Sequence, residues 1–298
     1  MQSINNNLDP IVSIVILSLF RQPDTLKCLQ SIFLHTKGSY EIIVVDMGGS
    51  RAIVSWLKRI STKHDNISVV FNKKNVGIAK GRNQGIAVAK GKYIVFLDND
   101  ARVTRGWLDP LINAVKKSKT IGACGAKILL PNNDVQYCPV HIAHSKKNGI
   151  LKTIGVDRRM IVKNNSISAN RPGEVFWYPT TCLLVKKSAL SKIGGFDENL
   201  HRAEEDKDLC LSLSKKGYTI TYSPCARVYH DHAITNSSYD KMRYSMRLAL
   251  RDINYFEHKW GCKSVNTISA KYLRKMGCSE KQIVNIAKFD FFTQLTDL

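Results

Sequence analysis

An α/β domain with a mostly parallel central sheet, helices on its faces and a helical extension toward the C-terminus is the fold class this sequence predicts. Three observations carry the prediction. Continuous apolar runs of strand length recur through the first hundred residues, and segments with helical spacing of apolar residues alternate with them. Three of the runs end in a hydroxyl or an acid, at Ser18, Asp46 and Asp98. Strands covered on both faces read as unbroken apolar runs, and ligands of such sheets bind at the carboxyl ends of the strands.

The elements follow in order. Ile11–Ser18 is a buried strand, and Pro23 opens a helix with Leu26, Leu29, Ile32 and Phe33 on one face. Glu41–Asp46 is a second strand, Ala52–Ile60 a helix and Ile67–Phe71 a third strand. An Asn- and Gly-containing turn leads into a helix over Gly77–Ala89, and Lys92–Leu97 is the fourth strand. Residues 131–175 are rich in Asn, Lys and short apolar runs, which predicts hairpins and loops. Strand character resumes over Val175–Val185 and again over Tyr218–Tyr229, with helices at Lys187–Ile193 and Asp206–Lys216 between them. Tyr239–Lys259 predicts an amphipathic helix, because Met242, Met246, Ala249, Ile253, Phe256 and Trp260 recur at helical spacing. Arg243, Arg247 and Arg251 form a stripe beside that face. Helix is also expected in the last 30 residues.

Composition narrows the function classes. With 298 residues and 44% hydrophobic content the chain can bury a core, which excludes wholesale disorder. Lys and Arg number 45 against 24 Asp and Glu, a net charge of +21. That charge suits an anionic partner: nucleic acid, a membrane surface or a phosphate-bearing substrate. It is spread along the chain rather than gathered in a tail. The first ten residues are polar, and the apolar run after Asp9-Pro10 lacks a basic flank, so a cytoplasmic location is expected. None of the eight cysteines forms a CxxC pair, which excludes a zinc ribbon and predicts buried thiols in a reducing compartment.

Five stretches carry residue types suited to chemistry. Asp98-Asn99-Asp100 puts two acids around one residue after an apolar strand, a turn able to hold a hard divalent cation. Asp46 precedes Met47-Gly48-Gly49-Ser50, where an acid can accept from a base N–H or a ribose. Asn75–Asn83 is a turn into a helix start carrying Lys80 and Arg82, a setting for a diphosphate. It is not a Walker loop. Glu204-Glu205-Asp206-Lys207-Asp208 opens a helix, where acids cap the dipole or one serves as a general base. His230-Asp231-His232 follows a strand and suits metal ligation or proton transfer.

Taken in order over roughly residues 11–232, these stretches resemble family 2 glycosyltransferases of the GT-A fold. Ile11–Arg21 resembles the opening strand and its nucleotide-facing turn, and Ile43–Ser50 the strand that ends in a uracil-reading acid. Asn75–Gly85 resembles the N-x-G…R-N-x-G helix start, and Tyr93–Asp100 the strand with its DxD. Gly194–Glu198 resembles the GGFDE loop, Glu205–Cys210 the ED-x-DLC motif and Tyr229-His230 the closing Tyr-His. The resemblance implies one GT-A domain over 1–235, with a nucleotide-binding half (1–105) and an acceptor-binding half (106–235), and a helical extension over 236–298. It implies donor contacts from Ser18, Phe20, Arg21, Asp46, Asn75, Gly77, Lys80, Arg82, Asp98 and Asn99. It places Mn²⁺ or Mg²⁺ on Asp100 and His230, the catalytic base at Asp206, and the acceptor at Trp177 and Glu205. The middle of the chain looks most like the rhamnosyltransferase-like branch.

The implied activity is inverting sugar transfer from a UDP- or dTDP-type donor to a glycan, a lipid-linked or a peptide acceptor. Segment 239–260 is a candidate for peripheral contact with the inner face of the cell membrane. Leu17-Ser18-Leu19-Phe20 and Met47-Gly48-Gly49 depart from the family's usual Pro-Thr-Tyr-Asn and Asn-Gly-Ser, and both bear on the nucleotide pocket. The Q-x-x-R-W residues of processive synthases are missing. A nucleotidyltransferase is the alternative enzyme, but its glycine-rich loop after the first strand is absent. A nucleic-acid-binding module is the non-enzyme alternative, and charge alone supports it.

Overall fold

The computed structural model describes residues 11–19, 22–157, 161–231 and 246–267, with 274, 279 and 280. The first half runs β1 (Val12–Ser18), α1 (Gln22–His35), β2 (Tyr40–Asp46), α2 (Arg51–Lys63), β3 (Ile67–Phe71), α3 (Ile78–Val88), β4 (Tyr93–Leu97), β5 (Ala101–Val103) and α4 (Leu108–Lys116). The middle runs β6 (Ile121–Leu129), β7 (Asp134–Tyr137), β8 (Ile142–Lys147), β9 (Ile150–Asp157), β10 (Val162–Lys163), α5 (Ile167–Asn170) and β11 (Gly173–Val175). The rest runs β12 (Cys182–Lys186), α6 (Lys187–Ile193), α7 (Glu205–Lys215), β13 (Thr219–His230), α8 (Met246–Trp260) and β14 (Lys263–Thr267).

The main sheet has the order β10-β7-β6-β12-β4-β1-β2-β3, with β13 beside β6, β5 and β11. β3, β2, β1 and β4 are parallel, as the apolar runs predict. β12 enters antiparallel to both β4 and β6, and β13 is parallel to β6. Strand alternation splits the core into two layers. Val12, Ile14 and Ile16 of β1 face one side with Cys28, Leu29 and Ile32 of α1, while Val15 faces the other with Phe96, Leu209 and Phe256. α1 buries Thr25 and Cys28 beside Leu29 and Ile32, and Leu26, expected on that face, is 36% exposed. Gly85 lets α3 lie against β1, since a Cβ there would stand 2.4 Å from Val15 Cγ1.

The 131–175 excursion contains the expected hairpin. β8 and β9 pair antiparallel around Asn148 and Gly149, both with positive φ. The C-terminal extension is not wholly helical: β14 adds to β9 in parallel and makes a second, three-stranded sheet. Gly155 is required at that seam, because a Cβ would lie 1.4 Å from Val265 O. Gly155→Ala is therefore expected to part the seam, at a cost above the ~1–3 kcal/mol of ordinary overpacking. Hydrogen exchange should report it as faster exchange of the 263–267 amides.

The amphipathic segment is helical where it is described. Ile253 and Phe256 of α8 are buried against the domain. That part of the apolar face packs on the domain, and Arg251 of the basic stripe pairs with Asp252 of its own helix at 2.6 Å. Residues 239–245 lie outside the described residues. Among the described residues no helix is long and apolar enough to cross a membrane. Cys28, Cys124, Cys138, Cys182, Cys210 and Cys262 are free and buried, and Cys225 is exposed. Burial pushes the Cys124 and Cys210 thiols up to about 12, which leaves them inert near neutral pH.

Candidate active site

The site forms where β4 ends. The backbone turns at Asp98-Asn99-Asp100 and enters β5, which pairs antiparallel with the end of β13. The register sets His230 opposite Ala101, so the imidazole arrives beside Asp100. A two-point ion pair between Arg102 and Asp231, together with Asp231 N–H to Asp100 O at 2.8 Å, holds that register. His230 Nε2 lies 3.0 Å from Asp100 Oδ1 and 3.8 Å from Asp98 Oδ2. Ligand atoms of Asp98, Asp100 and His230 all fall within 4.8 Å of one another. An octahedral ion with bonds of ~2.1 Å sets neighbouring ligands ~3 Å apart and opposite ones ~4.2 Å apart. Two hard carboxylates and one imidazole at these separations fit a divalent ion. Asp98, expected at the ribose, also lies within reach of the two expected ligands.

Arg82 departs from its expected place. Its guanidinium is buried on the inner face of α3, with Nη1 at 2.8 Å from Glu205 Oε1 and Nη2 at 3.7 Å from Asp98 Oδ1. It also lies over the Phe196 ring at 5.3 Å. Its charge is answered by two carboxylates, so it couples the DxD turn to α7 instead of facing an open phosphate site. Glu205, expected at the acceptor, is buried as Arg82's partner. Burial raises its carboxyl, and Arg82 opposes that shift. Asn83, next to Arg82, accepts from Phe196 N–H at 2.9 Å and donates to Phe196 O at 2.9 Å, which clamps the Gly195–Glu198 loop.

Each acid opening α7 has its own environment. Glu204 sits in a left-handed conformation and is held by Lys207 at 3.0 Å and by Ser264 of β14 at 2.8 Å. Asp208 accepts from Trp260 Nε1 at 2.7 Å and pairs with Lys259, both of α8. Asp252 of α8 is buried and accepts from the Arg202 and Ala203 N–H groups that lead into α7. Asp206 alone of the four acids keeps part of its surface open. Burial and the neighbouring Glu205 charge push its carboxyl up to about 7. A group with that value takes protons efficiently near neutral pH.

The remaining expected residues separate into two groups. Asp46 is buried at the end of β2. Its Oδ1 accepts from Gly49 N–H at 3.0 Å, and its Oδ2 has no hydrogen-bond partner among the described residues. Burial raises its carboxyl against the hydrogen bonds from Gly49 and Gly48. Asn75 caps the turn by accepting from Gly77 N–H, and Lys80 is exposed, 3.8 Å from Glu198. Asn99 donates to Thr25 Oγ1 at 3.0 Å, and Ser18 lies 3.4 Å from the same hydroxyl, so both brace the start of α1. Trp177 is a correction. It is buried, donates to Gly155 O at 3.1 Å and lies beneath Lys207 Nζ, a core position and not an acceptor surface. Phe20 and Arg21 lie outside the described residues.

Comparison with known proteins gives the family and the fold. The family model described as Glycosyl transferase family 2 matches residues 13–194. A pre-mycofactocin glycosyltransferase of Mycobacterium tuberculosis is 28% identical over 192 residues, 64% of this chain and 37% of that protein. An N-acetylglucosaminyl-diphospho-decaprenol L-rhamnosyltransferase of the same species is 24% identical over 241 residues, 75% of this chain and 76% of that one. The chain spans 28–38% of the length of the first curated relatives it matches. Among solved structures, GalNAc-T7 with UDP, GalNAc and Mn²⁺ superposes with a TM-score of 0.58 at 17% identity, over 76% of this chain and 44% of that one. The mannosyltransferase PcManGT of Pyrobaculum calidifontis, in complex with GDP-Man and Mn²⁺, gives 0.55 at 16%, over 91% of this chain and 68% of that one.

Proposed function

Because the chain belongs to glycosyl transferase family 2, we propose that it moves a sugar from a nucleotide-diphosphate donor to an acceptor hydroxyl with inversion, in glycan or glycoconjugate synthesis. The observation that carries the reading is the junction of two groups through Arg82: the Asp98–Asp100–His230 cluster on one side and Glu205, next to Asp206, on the other. Asp98, Asp100 and His230 would hold a divalent ion, which would supply positive charge to a departing diphosphate. The imidazole in the set favours Mn²⁺ over Mg²⁺, and both solved neighbours named above contain Mn²⁺.

This chain's own residues do the rest. Asp46, with Oδ2 buried and unpartnered among the described residues, accepts from the imide N–H of a UDP- or dTDP-type base. Lys80, exposed at the start of α3, reaches the diphosphate. Asp206 takes the proton from the acceptor hydroxyl as its oxygen attacks the anomeric carbon opposite the leaving group. One displacement inverts that centre and needs no covalent enzyme intermediate. The acceptor is a glycan, a lipid-linked saccharide or a peptide. The nucleotide-binding and acceptor-binding halves divide near residue 105, and Asp252, Trp260 and Ser264 of the extension brace α7.

A thermal-shift panel of nucleotide-sugars with Mn²⁺ tests the reading, since a bound donor stabilises by mass action. One nucleotide-sugar should raise the midpoint only when metal is present, and the product's anomeric configuration by NMR should be opposite to the donor's. Asp100→Ala should remove the metal-dependent part of that shift. A metal-dependent shift that survives in Asp100→Ala counts against the assigned ligands.

A further inference from the structure

We propose that Gln136 is a positioning residue of the metal site, fixing the tautomer of His230 so that Nε2 turns a lone pair toward Asp98 and Asp100. The proposal rests on the reading of those three residues as a divalent-metal site. Gln136 lies in β7 and is 2% exposed, and its Oε1 stands 2.7 Å from His230 Nδ1. An amide oxygen only accepts hydrogen bonds, so Nδ1 carries the hydrogen. Nε2 faces Asp100 Oδ1 at 3.0 Å, a hydrogen-bond distance, and Asp98 Oδ2 at 3.8 Å. A carboxylate only accepts, so without metal a proton on Nε2 bridges to Asp100, and a divalent ion takes that proton's place while Nδ1 keeps its own. A metal-binding histidine commonly donates its second ring N–H to an acceptor that orients the ring, and Gln136 has the geometry for it.

β7 gives Gln136 little freedom. Its neighbours Val135 and Tyr137 pair with Leu129 and Ile128 of β6. Val135 also pairs with Val162 of β10, and Asp134 bonds Lys163 at 2.7 Å. The opposite amide orientation would have the Gln136 NH₂ donating to Nδ1. Nε2–H would then donate to Asp100, and the site would close as a hydrogen-bonded chain with no lone pair for a metal.

Titration of the full chain with Mn²⁺ alone, followed by the electron paramagnetic resonance of the free ion, separates these arrangements. Gln136→Leu should weaken Mn²⁺ binding by ~10–100-fold. Gln136→Glu, which keeps an acceptor and cannot donate when ionised, should bind at least as tightly as the wild type. In the wild type loaded with Zn²⁺, a diamagnetic ion, ¹⁵N NMR should find the His230 proton on Nδ1 and none on Nε2. Wild-type affinity in Gln136→Leu, a Gln136→Glu protein as weak as Gln136→Leu, or a proton on Nε2 of the Zn²⁺-loaded protein would each overturn the proposal. The NMR result holds even if Gln136→Leu does not fold. A wild-type protein that binds no Mn²⁺ removes the metal reading itself, an outcome distinct from the others.

Discussion

Asp206→Asn is expected to cut turnover by about 10²–10⁴-fold while donor and metal binding persist. The amide keeps the size of the side chain and can still accept from Lys207 N–H, which bonds Asp206 Oδ1 at 2.7 Å. It cannot take a proton from a hydroxyl. The same assignment sets a pH profile. A carboxyl pushed up to about 7 is protonated, and idle as a base, below that value. With acceptor saturating, the wild-type rate should rise with pH through about 7 and level off above it, falling to about a tenth of its plateau one unit below. The residual rate of Asp206→Asn should lack this limb. Near-normal turnover, or a limb retained in the variant, would assign the base elsewhere.

The second large effect is on stability. Arg82→Met should destabilise the fold by ~3–5 kcal/mol, because it leaves Glu205 buried without its cation. For a chain of this size that lowers the melting midpoint by about 6–20 °C. The double variant Arg82→Met/Glu205→Gln should regain much of the loss, since the buried charge is then gone and Asp98, the other carboxylate near Arg82, is partly exposed. Urea unfolding of the wild type, the two single variants and the double variant measures the coupling. An Arg82→Met protein as stable as the wild type would mean that the pair contributes nothing. Because Arg82 also lies 3.7 Å from Asp98, metal affinity should change in the same variant.

Much of this was legible in the sequence, for physical reasons. Strands buried on both faces must be apolar throughout, so β1, β2 and β4 announce themselves, and their polar ends mark the edge where the site assembles. Asp98, Asp100 and His230 were named as candidates for that edge, and the β5–β13 register brings them together. Arg82 was misplaced because a cation near a helix start suits a phosphate. Its phase tells otherwise: Ala79, Arg82 and Ile86 share a face, and an arginine on an inward face needs an acid. Trp177 and Glu205 were read from motif position alone, while burial depends on what packs over them. Gln136 and Asp252 carried no local signal, since each acts on a residue far away in the chain.

The parallel pairing of β14 with β9 has a consequence for synthesis. Every strand of the main sheet, and all three candidate metal ligands, lie before residue 231. Asp252, Trp260 and Ser264, which hold the first turn of α7, leave the ribosome afterwards. A nascent chain that ends at residue 231 therefore contains the Asp98–Asp100–His230 cluster and the Arg82–Glu205 pair, and lacks the braces that α8 and β14 give the first turn of α7. Vectorial synthesis thus separates in time the appearance of the candidate metal cluster from the bracing of the turn that carries Asp206.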